Sequence, residues 1–598
     1  MKVGLRGAMS VLAGLVLTGA VASAADGPVA VEIKKGADGK VQLLRDGKPY
    51  FIKGGGGGGD KPLLAAVGGN SFRTWGVGNE TLKELDQAEK LGLTVTVGYW
   101  LGHKQHGFDY GNAAAVDKQF DDVKKVVLKY KDHPALLMWS LGNEMENGNN
   151  TPELWKAVEA LAKMVHEVDP KHPTMTVVAE VGGKTVENIH TYCPDIDVVG
   201  INSYAGGPSV GERYAKQGGT KPFVVTEFGP PGTWELKMNA FGAAPEPTST
   251  EKAAWYRKTY EKTVLGMPGQ CLGSYAFTWG FKIEATATWY GMFLPDGSKL
   301  GAVDMMQELW SGKAAEHPCP AIKKLAVVGA DQVAGGETVK AEVDTADEKG
   351  DKLKIDWRLF REQGNYDVQG TGAAATPGYP EAIEKNGERE VTIKLPKFGG
   401  VYRIYCYIHN EHGGAAVGSL PVKVAGPEAA FEAAKARLPL EVIGEGEGPY
   451  IPSGYMGNTK AISMQADCAD NPHTGKVCTK VEYKEGGNWA GVVWQSPAND
   501  WGEKPGGYDL TGATKLTFWA RGAKGGEKVK FGFGIIGADK KYHDSAKGET
   551  AAELTNDWQE YRIYLKGKDL KCIKSGFWWS LGGQGEPVTF YLDDVKFE

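Results

Sequence analysis

Cysteine is scarce in this chain, seven residues in 598, and that excludes a small fold held by a dense disulfide framework. No CxxC pair occurs, and no Cys/His grouping proposes a zinc site. A basic excess is missing too: 68 Lys and Arg stand against 74 Asp and Glu, whereas a nucleic-acid binder needs a clustered basic face. Long hydrophobic runs are also absent. The N-terminal run "VLAGLVLTGAVA" (11–22) is well short of the roughly 20 residues that a membrane-spanning helix requires, and no later segment qualifies, so no membrane span is expected. A short anchor is the competing reading of this end, but Lys2 and Arg6 precede the run and "ASA" (22–24) follows it. That is the pattern of a cleavable signal over 1–24, and it implies a secreted or periplasmic protein. Cleavage removes two positive charges, taking the formal charge from −6 to −8.

The length allows about three or four domains of ordinary size. Between about Val29 and Gly312, short apolar runs alternate with amphipathic stretches. Eight runs read as strands: 49–54, 70–75, 93–100, 135–142, 174–181, 196–204, 222–229 and 271–279. Helical patterns lie between them, as in "TPELWKAVEALAKMVHEVD" (151–169), which opens on a Thr cap. The expected fold is a (β/α)8 barrel over 25–316, with its chemistry at the carboxyl ends of the strands. A doubly wound open sheet is the alternative, and the chain lacks the Gly-rich nucleotide fingerprint of such sheets.

The pattern changes after "EHPCP" (316–320). Residues 317–425 read as an immunoglobulin-like sandwich with Trp357 as a core candidate, and the early strand "TVKAEVD" offers Cys406 no disulfide partner. A linker is expected over 426–440 and a second β-sandwich over 441–598. Cys468 and Cys478 are near enough in sequence to pair across a hairpin or loop.

Two acids mark the chemistry. Glu144 closes the fourth strand pattern in "WSLGNE", and Glu227 closes the seventh in "VVTEFG". In a barrel both face the same mouth, and glycosidic cleavage needs such a pair: one acid protonates the leaving oxygen while the other, ionised, attacks carbon or activates water. Arg73 at the end of strand two can keep a neighbouring carboxylate charged, and Asn143 can meet a sugar hydroxyl with its amide.

Trp75, Trp100 and Trp279 also end strand patterns. A strand-end Trp packs in the core or offers a flat face to a sugar, and Trp279 is the preferred sugar platform. His103 and His106 read as polar subsite or surface groups, since two ligands in one loop make no metal site. The glycine run 54–59 lacks the Gly-Lys-Ser/Thr of a phosphate loop, leaving a low-bulk loop at the mouth. The stretches 230–250 and 280–299 are long for barrel loops, and a cleft walled on at least one side is expected.

"WSLGNE" and "TEFG", with "FRTW" before and "YAFTWG" after, resemble the retaining glycoside hydrolases of clan A, especially the barrels of families 2 and 5. That resemblance implies Glu144 as acid/base, Glu227 as nucleophile and Asn143 on the 2-hydroxyl. It further implies that Arg73 and Tyr204 hold Glu227, with Trp279 beneath the sugar and Trp100 and His103 as further substrate contacts. Family 2 enzymes usually carry a sandwich domain before the barrel, whereas here only a short hairpin pattern (31–51) separates the expected signal from the first strand, so no family 2 specificity such as galactosidase or glucuronidase is expected. The final domain resembles the jelly-roll carbohydrate-binding modules of secreted glycanases, in which some of Trp489, Trp494, Trp501, Trp578 and Trp579 face solvent. The expected partner is a polysaccharide or oligosaccharide of β-glucan or mannan type, and no organic cofactor is implied. A β-glucan transglycosylase and a noncatalytic glycan-binding protein are the alternatives.

Overall fold

The computed structural model describes residues 27–598 apart from 105–106, 363–365, 367–375, 377, 428–432 and 445–447. The expected signal (1–24) and His106 therefore lie outside the described residues. The chain forms two compact units, one of residues up to Pro231, Glu251–Phe281 and Tyr290–Glu316, the other of Gly232–Thr250, Lys282–Trp289 and His317–Glu598.

The first unit is a closed parallel barrel of eight strands: β1 (Ile52–Gly56), β2 (Ser71–Arg73), β3 (Thr94–Tyr99), β4 (Leu136–Asn143), β5 (Thr174–Val178), β6 (Val198–Asn202), β7 (Phe223–Phe228) and β8 (Cys271–Phe277). All eight strands lie within the expected runs or overlap them. Every residue of β4 and β7 is buried, because helices cover a parallel barrel outside and side chains fill it inside; the sequence of such a strand is then continuously apolar. Leu137, Met138, Met175, Val177, Val224 and Leu272 form the interior cluster, and the N-terminal hairpin adds Val31 and Leu43 to it.

The glycine run is a correction. Gly54, Gly55 and Gly56 belong to β1 itself rather than to a loop. A Cβ on Gly54 would stand 2.2 Å from the Tyr275 ring, and one on Gly55 2.8 Å from Trp279. These glycines make room for the large aromatics of β8 and its continuation.

In the second unit, Ala321–Val328, Thr338–Ala346 and Glu390–Lys394 form one sheet, and Lys354–Arg361, Gly400–His409 and Gly414–Ala425 form the other. Trp357 and Cys406 are buried in the core between them. The long stretches after strands seven and eight are counted with this unit. Glu246 accepts hydrogen bonds there from Thr286 (2.8 Å), Thr288 (2.7 Å) and Ser419 (2.9 Å). Arg403 donates to Glu362 and to the Ala244 carbonyl, both at 2.7 Å. Two further sheets form the C-terminal sandwich. The expected linker contributes to it: Ala434–Lys435 pairs with Tyr508–Asp509, and Leu440–Ile443 with the last strand, Val588–Phe597. Among the described residues no helix is long and apolar enough to cross a membrane.

Candidate active site

Glu227 lies near the end of β7 and is 5% exposed. Three donors converge on its carboxylate. Arg73 Nη1 (3.2 Å) and Trp75 Nε1 (2.8 Å) reach Oε1, and the Tyr204 hydroxyl (2.8 Å) reaches Oε2. All three donate to carboxylate oxygens, and one of them, Arg73, is a cation. Tyr204 is itself held neutral, since burial and then the negative charge of Glu227 push its hydroxyl well above the usual phenol range. Arg73, from β2, is buried, and desolvation works against its charge while Glu227 and Glu144 support it.

Glu144 follows β4 directly, with φ at +55°, a left-handed conformation uncommon for a residue with a Cβ. The preceding Gly142 also has positive φ, +82°, so the chain turns sharply at the strand end and redirects this side chain. Asn202, at the end of β6, donates to Glu144 Oε1 at 2.7 Å. Its other side-chain atom accepts from Thr226 (2.7 Å) and lies 3.4 Å from Arg73 Nη1. One amide and one guanidinium thus connect the two acids.

Asn143 Oδ1 accepts from Arg73 Nη2 at 2.5 Å and from Asn202 at 3.2 Å. Two donors on the oxygen fix the amide orientation and leave the NH2 group as the donor for a ligand.

Glu146 stands two residues beyond Glu144 and is buried. Its Oε1 accepts from Ala179 N at 2.6 Å, while Oε2 is buried without a hydrogen-bond partner. Burial pushes this carboxyl up to about 8, the Ala179 bond opposes the shift, and the charge of Glu144 adds to it.

The structure brings Glu144, Glu227, Arg73, Asn143 and Tyr204 together and sets Trp279 apart. Trp279 is fully buried, donates to the Asp60 carbonyl at 2.8 Å, and packs on Phe293 and Trp310. With no exposed face it cannot be the sugar platform. Phe277, at the end of β8, lies against Trp75, Tyr204 and Tyr290 with ring centroids 5.6–6.1 Å apart, so the aromatic beside the acids comes two residues earlier than expected. Trp100 is 45% exposed and stacks on His103 at 4.7 Å. His103 is 4% exposed, which corrects its reading as a surface residue.

Sequence reasoning missed Asn202, Phe277 and Glu146, and it had not paired Trp75 with Glu227. Asn202 carried a usable signal, a polar residue closing the apolar run "VVGIN". Phe277 carried none, because a Phe in a strand reads as core.

In the C-terminal sandwich Trp494, Trp578 and Trp579 are buried, while Trp489 (52%) and Trp501 (37%) are exposed.

Residues 63–257 match the family model described as "Glycosyl hydrolases family 2, TIM barrel domain", and residues 449–598 match "Carbohydrate binding domain 30". A provisionally named beta-glucuronidase of Formosa agariphila is 28% identical over 153 residues, 25% of this chain and 12% of that protein. The aligned stretch thus spans about an eighth of that relative. The b-glucuronidase of Ruminococcus gnavus, solved with uronic deoxynojirimycin, is 16% identical over 47% of this chain and 52% of its own, with a TM-score of 0.38. A family 30 carbohydrate-binding module is 17% identical and covered over 99% of its length by 27% of this chain, with a TM-score of 0.21. Two segments of the chain are therefore similar to known families, the barrel to glycoside hydrolases of family 2 and the C-terminal sandwich to carbohydrate-binding domain 30.

Proposed function

We propose that the protein is a secreted retaining β-glycosidase acting on a polysaccharide of β-glucan or mannan type. The unequal treatment of the two acids carries this reading. Glu227 is held by a cation and two neutral donors, the setting of an ionised nucleophile. Glu144 has an amide donor on Oε1, the setting of a group that changes protonation during the reaction.

In the first step a Glu227 oxygen attacks the anomeric carbon. The bond to the leaving oxygen breaks, and Glu144 gives that oxygen its proton. The Asn143 amide donates to the hydroxyl beside the reacting carbon, a contact that strengthens in the transition state. In the second step Glu144, now a carboxylate, takes a proton from water, whose oxygen displaces Glu227 with net retention.

The C-terminal module supports a polymeric substrate, since a tethered binding domain raises the local concentration of cleavable bonds. Its exposed Trp489 and Trp501 supply flat apolar faces for stacking on sugar rings. The name of the Formosa agariphila relative also makes a glucuronide a substrate to test.

The test is to incubate the protein and its Glu227→Gln variant with β-glucans, mannans, xylans, galactans and aryl β-glucuronides. Shortened products from wild type alone support the hydrolase, and lengthened products identify a transglycosylase. Binding without product from either protein would replace the proposal with a noncatalytic glycan binder.

A further inference from the structure

Three residues remote in sequence converge in the immunoglobulin-like domain. His317 precedes the strand Ala321–Val328. Asp351 lies in the turn between Thr338–Ala346 and Lys354–Arg361, and His412 lies in the hairpin turn between Gly400–His409 and Gly414–Ala425. One ligand atom from each lies within 4.8 Å of the others. His317 Nδ1 is 3.4 Å from Asp351 Oδ2, His412 Nε2 is 3.7 Å from Asp351 Oδ1, and the two imidazoles stack with centroids 3.5 Å apart. We propose that His317, Asp351 and His412 form a binding site for one divalent transition-metal ion of the zinc type.

The spacing favours an ion over an ion pair. A charge-assisted N–H···O bond closes to about 2.7–2.9 Å, and both contacts here are longer. In a tetrahedral shell with bonds of about 2.0–2.2 Å, neighbouring ligand atoms stand roughly 3.3–3.6 Å apart, so closing from the present spread of up to 4.8 Å takes only small side-chain shifts. The two rings are nearly parallel, 18° apart, so they turn about their side-chain bonds to aim both in-plane lone pairs at one ion.

Two imidazoles and one carboxylate are a donor set for zinc or its neighbours, not for calcium or magnesium, which take oxygen ligands. With three protein ligands, the fourth position is open to water.

The ligand-bearing segments are held before any ion arrives. Asn410, 7% exposed, accepts from the backbone N–H groups of His412 (3.1 Å) and Gly414 (2.9 Å) and donates to the Pro318 carbonyl (3.1 Å). It thereby links the residue after His317 to the turn carrying His412. Asp347 Oδ1 accepts from Asp351 N at 2.9 Å and fixes the third segment. His412 is exposed, so an ion can enter from solvent.

The test is calorimetric titration of the EDTA-treated full chain with ZnCl2, with CaCl2 and MgCl2 as controls. One equivalent of zinc with micromolar or tighter affinity is expected, with no saturable heat from calcium or magnesium. His412→Ala, Asp351→Asn and His317→Gln should each weaken zinc binding at least about tenfold. Their circular dichroism and metal-free thermal midpoints should match wild type, with zinc raising the midpoint less in each variant than in wild type. Absence of a one-equivalent zinc isotherm, or wild-type affinity in any folded variant, would overturn the proposal.

Discussion

Glu146→Gln tests whether burial, helped by the charge of Glu144, keeps this carboxyl protonated. The folded protein holds the Glu146 proton up to about pH 8, against an ordinary value of 4.5. Above 4.5 the unfolded chain binds fewer protons at this position than the folded chain does, so stability falls as pH rises from 4.5 to 8 and levels off beyond. At 1.36 kcal/mol per pKa unit the loss is on the order of 3 to 5 kcal/mol. For a domain of this size that is about 6 to 10 °C in the thermal midpoint. Gln is neutral throughout, keeps the volume, and can still accept the Ala179 N–H through its amide oxygen. Calorimetric scans at pH 5 and pH 9 should show wild type losing that much more than the variant in the barrel transition. Parallel pH dependences would refute the reasoning.

Four further outcomes are expected. Arg73→Lys, which cannot reproduce the contacts of Nη1 and Nη2 with Glu227, Thr226 and Asn143, should lower kcat at least about a hundredfold, roughly 3 kcal/mol as for a broken buried pair, in steady-state assays. Gly54→Ala should destabilise the barrel by about 2–3 kcal/mol through overpacking against Tyr275, measured as a lower thermal midpoint. Trp489→Ala with Trp501→Ala should weaken retention in polysaccharide affinity gels at least about tenfold while leaving turnover of a small aryl glycoside unchanged. Cys468 and Cys478 are free buried thiols directly opposite in the strand register, at a Cα separation typical of cross-strand pairs and within disulfide reach. Oxidised glutathione should remove one hydrogen from each thiol as they join, and intact mass should show the loss in wild type but not in Cys468→Ser.

The barrel was legible because its strands are buried on both faces, and "ALLMWSLG" and "PFVVTEFG" therefore read as unbroken apolar runs ending in acids. Those ends also exposed Glu144, Asn143 and Glu227, since a carboxylate that closes a buried strand needs a reason to be there. Trp279 misled for the complementary reason. Its burial depends on Gly55, Phe293 and Trp310, which only the closed barrel brings around it. The glycines of β1 read as a loop because the partner that requires them, Tyr275, lies on the far side of the barrel closure. His317, Asp351 and His412 could not be grouped from sequence, since three separate turns of one sandwich bring them together.

The most direct test of the central claim is to trap the glycosyl intermediate. A 2-deoxy-2-fluoro glycoside of the sugar identified by the substrate panel slows hydrolysis of the covalent species, and peptide mass spectrometry then locates it. An adduct on Glu227, absent from Glu227→Gln, is the expected result. An adduct on Glu144, or turnover with inverted product and no adduct, would contradict the assignment.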